Sequence, residues 1–265
     1  EFKIFISIGI SDADFKRLLY IMEDYNYGNY IDLVLIDVAN GFSTHVGNFV
    51  RKVKERFPSL HVMAGNVACD KGFKYLADCG ADSVRVGIGG GSVCKTRVMT
   101  GFGLPTLTSV KMCHDFKVKN YKNYGKISII ADGGIRNPSD LVKSIAFGAD
   151  AVIMGSVFAR SRESCAKKVF VDGIECVSYR GMASKEFQEE YRGGLKEGTC
   201  SEGVSLNIPI SGSLSDIMQE FLGGLRSALT YSGFNDISSF KGNINYMVVS
   251  SAGIAESYPH ASLIS

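Results

Sequence analysis

The stretch Gly87-Ile88-Gly89-Gly90-Gly91-Ser92-Val93-Cys94-Lys95-Thr96-Arg97 holds the densest chemistry in the chain. Four glycines in five residues free the backbone for tight turns and close ligand approach. Backbone N–H groups exposed there can cradle a phosphate, with the Ser92 hydroxyl added; the carbonyls could equally wrap a monovalent cation. A bare glycine run is more often a loose surface loop. That reading weakens because Asp132-Gly133-Gly134 and Gly155-Ser156 repeat the pattern at two further strand ends. Asp132 can accept two ribose hydroxyls. Cys94 lies off any apolar stripe, and Lys95 and Arg97 beside it favour a nucleophilic thiolate. Thr96 is near enough to handle a proton, or it is simply a hydroxyl that steadies the loop.

These residues need a scaffold that gathers strand ends on one face. Six short runs rich in Val, Ile or Leu read as buried parallel strands: Ile4–Ile8, Leu33–Asp37, His61–Gly65, Ser83–Gly87, Ile127–Asp132 and Ala151–Gly155. Amphipathic helical stretches separate most of them. In Ser43–Phe57, for example, Val46, Val50, Val53 and Phe57 form one stripe. A second helix, Ser139–Phe147, follows the Asn137-Pro138 start signal. Glycine or a small polar residue closes nearly every strand, the way a (β/α)8 TIM-type barrel builds its active face. Such a barrel needs eight strands. The expectation is therefore an α/β barrel that is incomplete in this chain, with the first two strands absent and residues missing before the strand on which the chain opens. Residues 1–265 read as a single barrel domain, with 160–213 as hairpin and active-site flap. Val169–Val171 and Glu175–Tyr179 form the hairpin around Asp172-Gly173. Ser184–Gly203 is a polar flap, and a helix runs from about Leu214 to Tyr231.

Composition bounds the function. The chain has 265 residues, 45% of them hydrophobic, which is enough for one large core. Lys and Arg total 29 against 27 Asp and Glu, with no block of like charge. Neither nucleic acid nor a membrane is expected as partner. Seven scattered cysteines without a CxxC pair argue against a disulfide framework or structural zinc, and most should be small buried hydrophobes. Cysteine use, the absence of a basic leader in EFKIFISIGI, and a Leu263-Ile264-Ser265 ending that is not a peroxisomal address make the expected location cytoplasmic.

Four segments together resemble the IMP dehydrogenase/GMP reductase family. They are Gly87–Arg97 continued through Thr100-Gly101-Phe102-Gly103-Leu104-Pro105, Ala131-Asp132-Gly133-Gly134-Ile135-Arg136, Tyr179-Arg180-Gly181-Met182-Ala183-Ser184, and Gly223-Gly224-Leu225-Arg226-Ser227. The similarity runs from about Asp32 to the C-terminus. Within the family, Ile36-Asp37-Val38-Ala39-Asn40-Gly41 and Val53–Val67 resemble the reductase. The flap lacks the dehydrogenase's adjacent Arg-Tyr pair; Tyr191-Arg192 is reversed and followed by Gly193-Gly194. Val248–Ser257, His260, Arg180, Ile135 and Arg136 resemble the dehydrogenase instead. The reductase loop normally carries proline where this chain has Gly90.

The resemblance implies NADPH-dependent reductive deamination of the purine nucleotide GMP to IMP and ammonia, through a covalent thioimidate on Cys94. Thr96 and Glu202 would relay the proton; alone, Glu202 would read as a solvated flap charge. The nucleotide would lie on Ser92, Asp132, Gly133, Gly134, Gly155, Ser156, Gly181, Met182 and Ala183, with Ser201 and Gly203 closing over the purine. The cofactor would meet Asp37, Val38, Ala39, Ile88, Gly89, Met182 and Ser227, Ala228, Leu229 and Thr230, the last four reaching a neighbouring subunit of a homotetramer. A potassium ion would take the carbonyls of Gly89, Gly91 and Cys94. The alternatives are an IMP dehydrogenase that forms XMP with NAD, or a non-catalytic paralogue that only binds purine nucleotides.

Overall fold

The computed structural model describes residues 4–24 and 28–259; His260 and the terminal Leu263-Ile264-Ser265 lie outside the described residues. Six strands, β1 (Ile4–Ile8), β2 (Ile31–Asp37), β3 (His61–Val67), β4 (Ser83–Val86), β5 (Ser128–Asp132) and β6 (Ala151–Ile153), pair in parallel and in chain order. Helices α1 (Asp12–Glu23), α2 (Thr44–Arg56), α3 (Asp70–Asp78), α4 (Thr96–Thr100), α5 (Thr106–Lys119), α6 (Tyr121–Tyr124) and α7 (Pro138–Ala146) lie between them. After β6 come α8 (Ser156–Ala159), β7 (Lys168–Val171), β8 (Ile174–Arg180), α9 (Lys185–Arg192) and β9 (Ser205–Pro209). Then follow α10 (Leu214–Ser232), α11 (Ile237–Phe240) and α12 (Ser251–Ala255). Consecutive parallel order with crossover helices is a curled part-barrel, open between β1 and β6.

The core lies between this sheet and its helices. Val34, Ile36, Val62, Ala64, Val84, Val86, Ile129 and Ala131 are sealed from solvent against Val46, Val50, Val53, Phe73 and Leu76. Each fully buried Val, Ile, Leu or Phe among them contributes about 1.5–3 kcal/mol. The opposite strand face departs from the expectation of full cover. Leu33, Leu35, Met63 and Arg85 point to the barrel interior and stay partly exposed because the sheet does not close. Helix α2 begins where expected, its N-cap Ser43 hydroxyl accepting from the Val46 N–H. In α7, Asn137 caps with Pro138 in the first turn.

The hairpin β7–β8 turns at Asp172 and Gly173, both with positive φ, as a two-residue hairpin loop requires. The structure adds a third strand that the sequence reading lacks, β9, antiparallel to β8. It also adds helix α9 inside the stretch read only as a polar flap. Helix α10 runs from its Ser213 cap to Gly233 in the left-handed region, within one residue of the expected span. The cysteines differ from expectation: Cys79, Cys113 and Cys176 are buried, Cys69 is half-buried, and Cys94, Cys165 and Cys200 are exposed, all as free thiols.

Candidate active site

Strand register sets the floor of the site. Asp37 pairs with Gly65, and Gly65 with Arg85. A β-carbon at Gly65 would fall 2.6 Å from Arg85 Cβ, so only glycine lets the guanidinium cross to β2. There Arg85 Nη1 pairs with Asp37 Oδ1 at 3.0 Å, while its Nε donates to Asp132 Oδ2 at 3.0 Å. Asn66 Nδ2 donates to the same Asp132 oxygen (2.6 Å) and to the Gly87 carbonyl (2.7 Å). The ends of β2, β3, β4 and β5 are thus tied through one arginine and one asparagine. Both named contacts of the Asp132 side chain fall on Oδ2. Neither Arg85 nor Asn66 was singled out from sequence. A charge inside the apolar run Ser83-Val84-Arg85-Val86 was the available signal, since buried strands rarely carry one unpaired.

The loop after β4 packs against the loop after β5. Gly87 has φ +140°, and a β-carbon there would lie 2.1 Å from the Asp132 carbonyl. Gly133, with φ +83°, lies so close to Gly90 that a β-carbon would reach its carbonyl carbon at 2.7 Å. Gly90 itself faces Thr106 Oγ1, which a β-carbon would approach to 2.4 Å unless the Thr106 side chain turned away. The two glycine loops are therefore one rigid body, not a loose surface segment.

Cys94 is exposed above this body. Its thiol donates to Thr96 Oγ1 (3.2 Å), whose hydroxyl donates to Glu202 Oε2 (2.7 Å). A separation of 106 residues collapses to one hydrogen bond because the returning flap strand docks on the loop. Lys95 N–H donates to the Glu202 carbonyl (2.6 Å) and Val204 N–H to the Val93 carbonyl (3.0 Å). On the other side Glu202 N–H and the Ser201 hydroxyl both reach the Ala183 carbonyl, at 3.2 and 3.1 Å. The 201–204 segment is thereby held between the thiol loop and the Gly181–Ser184 turn.

Arg97 does not flank the thiol as expected. Its guanidinium is spent on two carbonyls of its own loop, donating to Ile88 (3.1 Å) and to Leu104. It braces the loop from within and leaves Lys95 as the cationic neighbour of Cys94.

The expected nucleotide-binding residues converge in part. Tyr179, unassigned from sequence, hydrogen-bonds Ser92, and its hydroxyl would lie 2.7 Å from a β-carbon at Gly155. Burial pushes the Tyr179 phenol up, with Asp132 adding to the effect and the Ser92 hydroxyl opposing it. Ser92, Gly155 and Tyr179 thus share one corner, with Ser156 following Gly155 at the start of α8. Gly133 and Gly134 line the β5 end, and Met182 is exposed on the Gly181–Ala183 turn. Ser201 and Gly203 sit over this turn.

The expected cofactor residues divide. Ile88 lines a cavity of about 320 Å³ with Asn40, Phe42, Cys69, Phe102 and Leu104, directly after Asp37, Val38 and Ala39. Phe42 and Phe102 were not anticipated. Ser227, Ala228, Leu229 and Thr230 lie instead on α10, which packs on α7, α8 and α11 at the β5–β6 side. This chain does not bring them to the β2 end. Gly89, Gly91 and Cys94 lie within one turn, in which Cys94 N–H donates to the Gly91 carbonyl at 3.1 Å.

Comparison with known proteins agrees with this fold. The model of the IMP dehydrogenase / GMP reductase domain matches residues 4–260. An inosine-5'-monophosphate dehydrogenase of Chlorobaculum tepidum is 38% identical over 244 residues, covering 88% of this chain and 48% of the relative. A GMP reductase of Shigella boydii is 40% identical over 230 residues, 87% of this chain and 64% of the relative. The crystal structure of a GMP reductase from Trypanosoma brucei in complex with guanosine 5'-monophosphate superposes with a TM-score of 0.87 at 29% identity. It covers 97% of this chain and 52% of that one. The chain thus spans from about half to just under two thirds of the length of these relatives. The chain belongs to the IMP dehydrogenase / GMP reductase family.

Proposed function

We propose that the chain carries the catalytic face of a GMP reductase, converting GMP to IMP and ammonia with NADPH. The observation that carries this reading is the unbroken line from Cys94 Sγ through Thr96 Oγ1 to Glu202 Oε2. Both hydrogens on it point toward the carboxylate. As sulfur adds to C2 of the purine, its proton passes through Thr96 to Glu202. The same path returns that proton to the departing 2-amino group, which leaves as ammonia and yields a thioimidate on Cys94. A bound nicotinamide cofactor supplies the hydride that C2 then receives, and sulfur departs as IMP forms.

The remaining residues bind and orient. Asp132 Oδ1 takes a ribose hydroxyl, its other oxygen being fixed by Arg85 and Asn66. Ser92, Tyr179 and the Gly155-Ser156 backbone hold the phosphate. The largely apolar cavity lined by Phe42 and Phe102 has the size and lining that an aromatic ring of the cofactor needs. Gly89, Gly91 and Cys94 offer only neutral carbonyl oxygens, which suits potassium as an organiser of the loop, with its other ligands coming from outside this turn. Assembly as a homotetramer would let α10 of one copy serve a neighbour's cofactor, which accounts for its distance from β2 here.

IMP dehydrogenase is the second reading, and one contact favours it. Arg180 Nη2 lies 3.4 Å from Tyr191 Oη, an Arg–Tyr pair in space though not in sequence. Against it, this guanidinium is bound to Glu190 at 2.5 Å, and that bond raises its pKa further, so it is a poor base for activating water. The test is direct. The protein is given GMP with NADPH, then IMP with NAD, and the reduced-nicotinamide absorbance is followed with product analysis. Consumption of NADPH with IMP and ammonia supports the reductase; XMP formation overturns it. Turnover that persists in Cys94→Ala would overturn the thiol mechanism itself.

A further inference from the structure

Helix α9 is amphipathic, yet it buries no side chain in the core. Its two aromatic residues, Phe187 and Tyr191, stand one turn apart with ring centroids 4.9 Å from each other. Both face the guanidinium of Arg180, whose central carbon lies 5.6 Å from the Phe187 centroid and 5.3 Å from that of Tyr191. The third contact on the same side is Glu190, ion-paired to Arg180 Nη1 at 2.5 Å. Arg180 is the last residue of β8, so its backbone is anchored by the ladder to β9, where it pairs with Ser205. An anchored strand end therefore grips a surface helix by two cation–π faces and one charge-assisted bond. At exposed sites such contacts are individually weak. Converging on one rigid side chain, they fix both the tilt and the rotation of the helix.

What α9 does when fixed follows from its N-terminal turn. The Gln188 amide donates to the Met182 carbonyl (2.6 Å), and the Ser184 hydroxyl caps the Phe187 N–H (3.3 Å). The intervening Ala183 carbonyl receives Glu202 N–H and Ser201 Oγ. The position of α9 thereby sets the Ala183 carbonyl, which sets Glu202 opposite Thr96. We infer that Arg180, with Phe187, Glu190 and Tyr191, is the latch that holds the flap closed and so positions Glu202 for proton transfer. Arg180 acts through α9, binding Phe187, Glu190 and Tyr191, and is a positioning residue. The inference deepens the proposed function and rests on it for the catalytic consequence, while the mechanical claim stands independently.

Two readouts separate these claims. Limited trypsin digestion reports the flap, because Arg192, the last residue of α9, and Lys196 just beyond it are exposed. Arg180→Ala is expected to be cut there at least tenfold faster than the parent, with digestion elsewhere unchanged. Equal rates of cutting would overturn the latch, whatever the protein's reaction. Turnover of GMP with NADPH reports the consequence. The Ala variant should lose about 10- to 100-fold in kcat, the scale expected for displacing a catalytic group by about 1 Å. KM for the nucleotide should rise by less than kcat falls, since ribose and phosphate are held by Asp132, Ser92 and Gly155, outside the released segment. Arg180→Lys keeps the charge but not the planar stacking surface, and should recover part of kcat. Phe187→Leu, which removes one face without touching the core, covers the case in which the Arg180 variant folds poorly. A loss in KM alone, or a Lys variant no better than Ala, would contradict positioning. Faster cutting in a protein whose parent never turns over GMP would keep the latch and reject the proposed reaction.

Discussion

Replacing Arg85 by methionine keeps most of the side-chain volume and removes the charge that joins three strand ends. Arg85 is 17% exposed, and its partners Asp37 and Asp132 are 31% and 19% exposed. Each carboxylate lies 3.0 Å from the guanidinium, so both lose their only named cation at once. Removing one partner of a buried pair typically costs about 3–5 kcal/mol, because the remaining charge is left uncompensated. Partial exposure moves the expected figure to the low end, about 3 kcal/mol. Asn66 continues to satisfy Asp132. For a chain of this size that corresponds to a fall in Tm of roughly 6–12 °C. The assay is thermal unfolding of Arg85→Met and of the double variant Arg85→Met/Asp37→Asn. Neutralising Asp37 should recover a third or more of the lost stability, since one of two orphaned charges disappears. A single-variant loss under 1 kcal/mol, or a double variant less stable than the single, would refute the view that these carboxylates depend on Arg85.

Other perturbations have equally definite outcomes. Thr96→Val removes the hydroxyl between Cys94 and Glu202 while preserving shape; kcat should fall by about 10²–10³-fold, the usual scale of a proton-transfer group, and unchanged kcat would exclude the relay. Gly133→Ala forces a β-carbon to within 2.7 Å of Gly90 at φ +83°, so nucleotide binding measured by calorimetry should weaken at least tenfold as the two loops separate. His114 is wedged between Gly148 and Gly242, with its Nδ1 buried and unbonded, and burial holds its pKa below 6.5. Its neighbours Asp115 and Asp150 favour the charged form and Lys117 and Lys241 oppose it. The unfolded chain therefore takes up the proton first, and stability should decline as pH falls below about 6.5 and on through the lower folded value. Urea unfolding at pH 7.5 and 5.5 should show that decline in the parent and a smaller one in His114→Gln; identical slopes would contradict the assignment.

Much of this architecture was legible because the barrel repeats one device. Apolar runs ending in glycine mark the strands and the face where they converge, and β1 lies where the sequence puts it. The pairing of Cys94 with Thr96 was legible from spacing, but Glu202 only through resemblance, since nothing local brings residue 202 to residue 96. Arg85 stayed hidden because its strand reads as simply apolar, and its role depends on the absent side chain at Gly65. Tyr179 lay within a recognised motif, yet strand alternation alone does not say that it meets Ser92. Helix α9 was lost in a polar stretch because its apolar face has only Phe187 and Tyr191, which pack on a guanidinium instead of the core. Strand β9 was missed for a related reason: a short, largely exposed strand without clean alternation and with a terminal Pro209 gains its identity from pairing with β8. Arg97 shows the opposite error. Proximity in sequence suggested an electrostatic role, and geometry turned it inward to the Ile88 and Leu104 carbonyls.

The central claim is a covalent bond between Cys94 and C2 of a purine nucleotide. Rapid acid quenching during turnover of GMP with NADPH, followed by peptide mass spectrometry, measures it directly. The account predicts one nucleotide-mass adduct on the peptide containing Cys94, absent in Cys94→Ala and strongly reduced in Glu202→Gln, which lacks the acceptor for the thiol proton. Turnover with that thiol unmodified at every time point, or an adduct on Cys69, Cys165 or Cys200 instead, would contradict it.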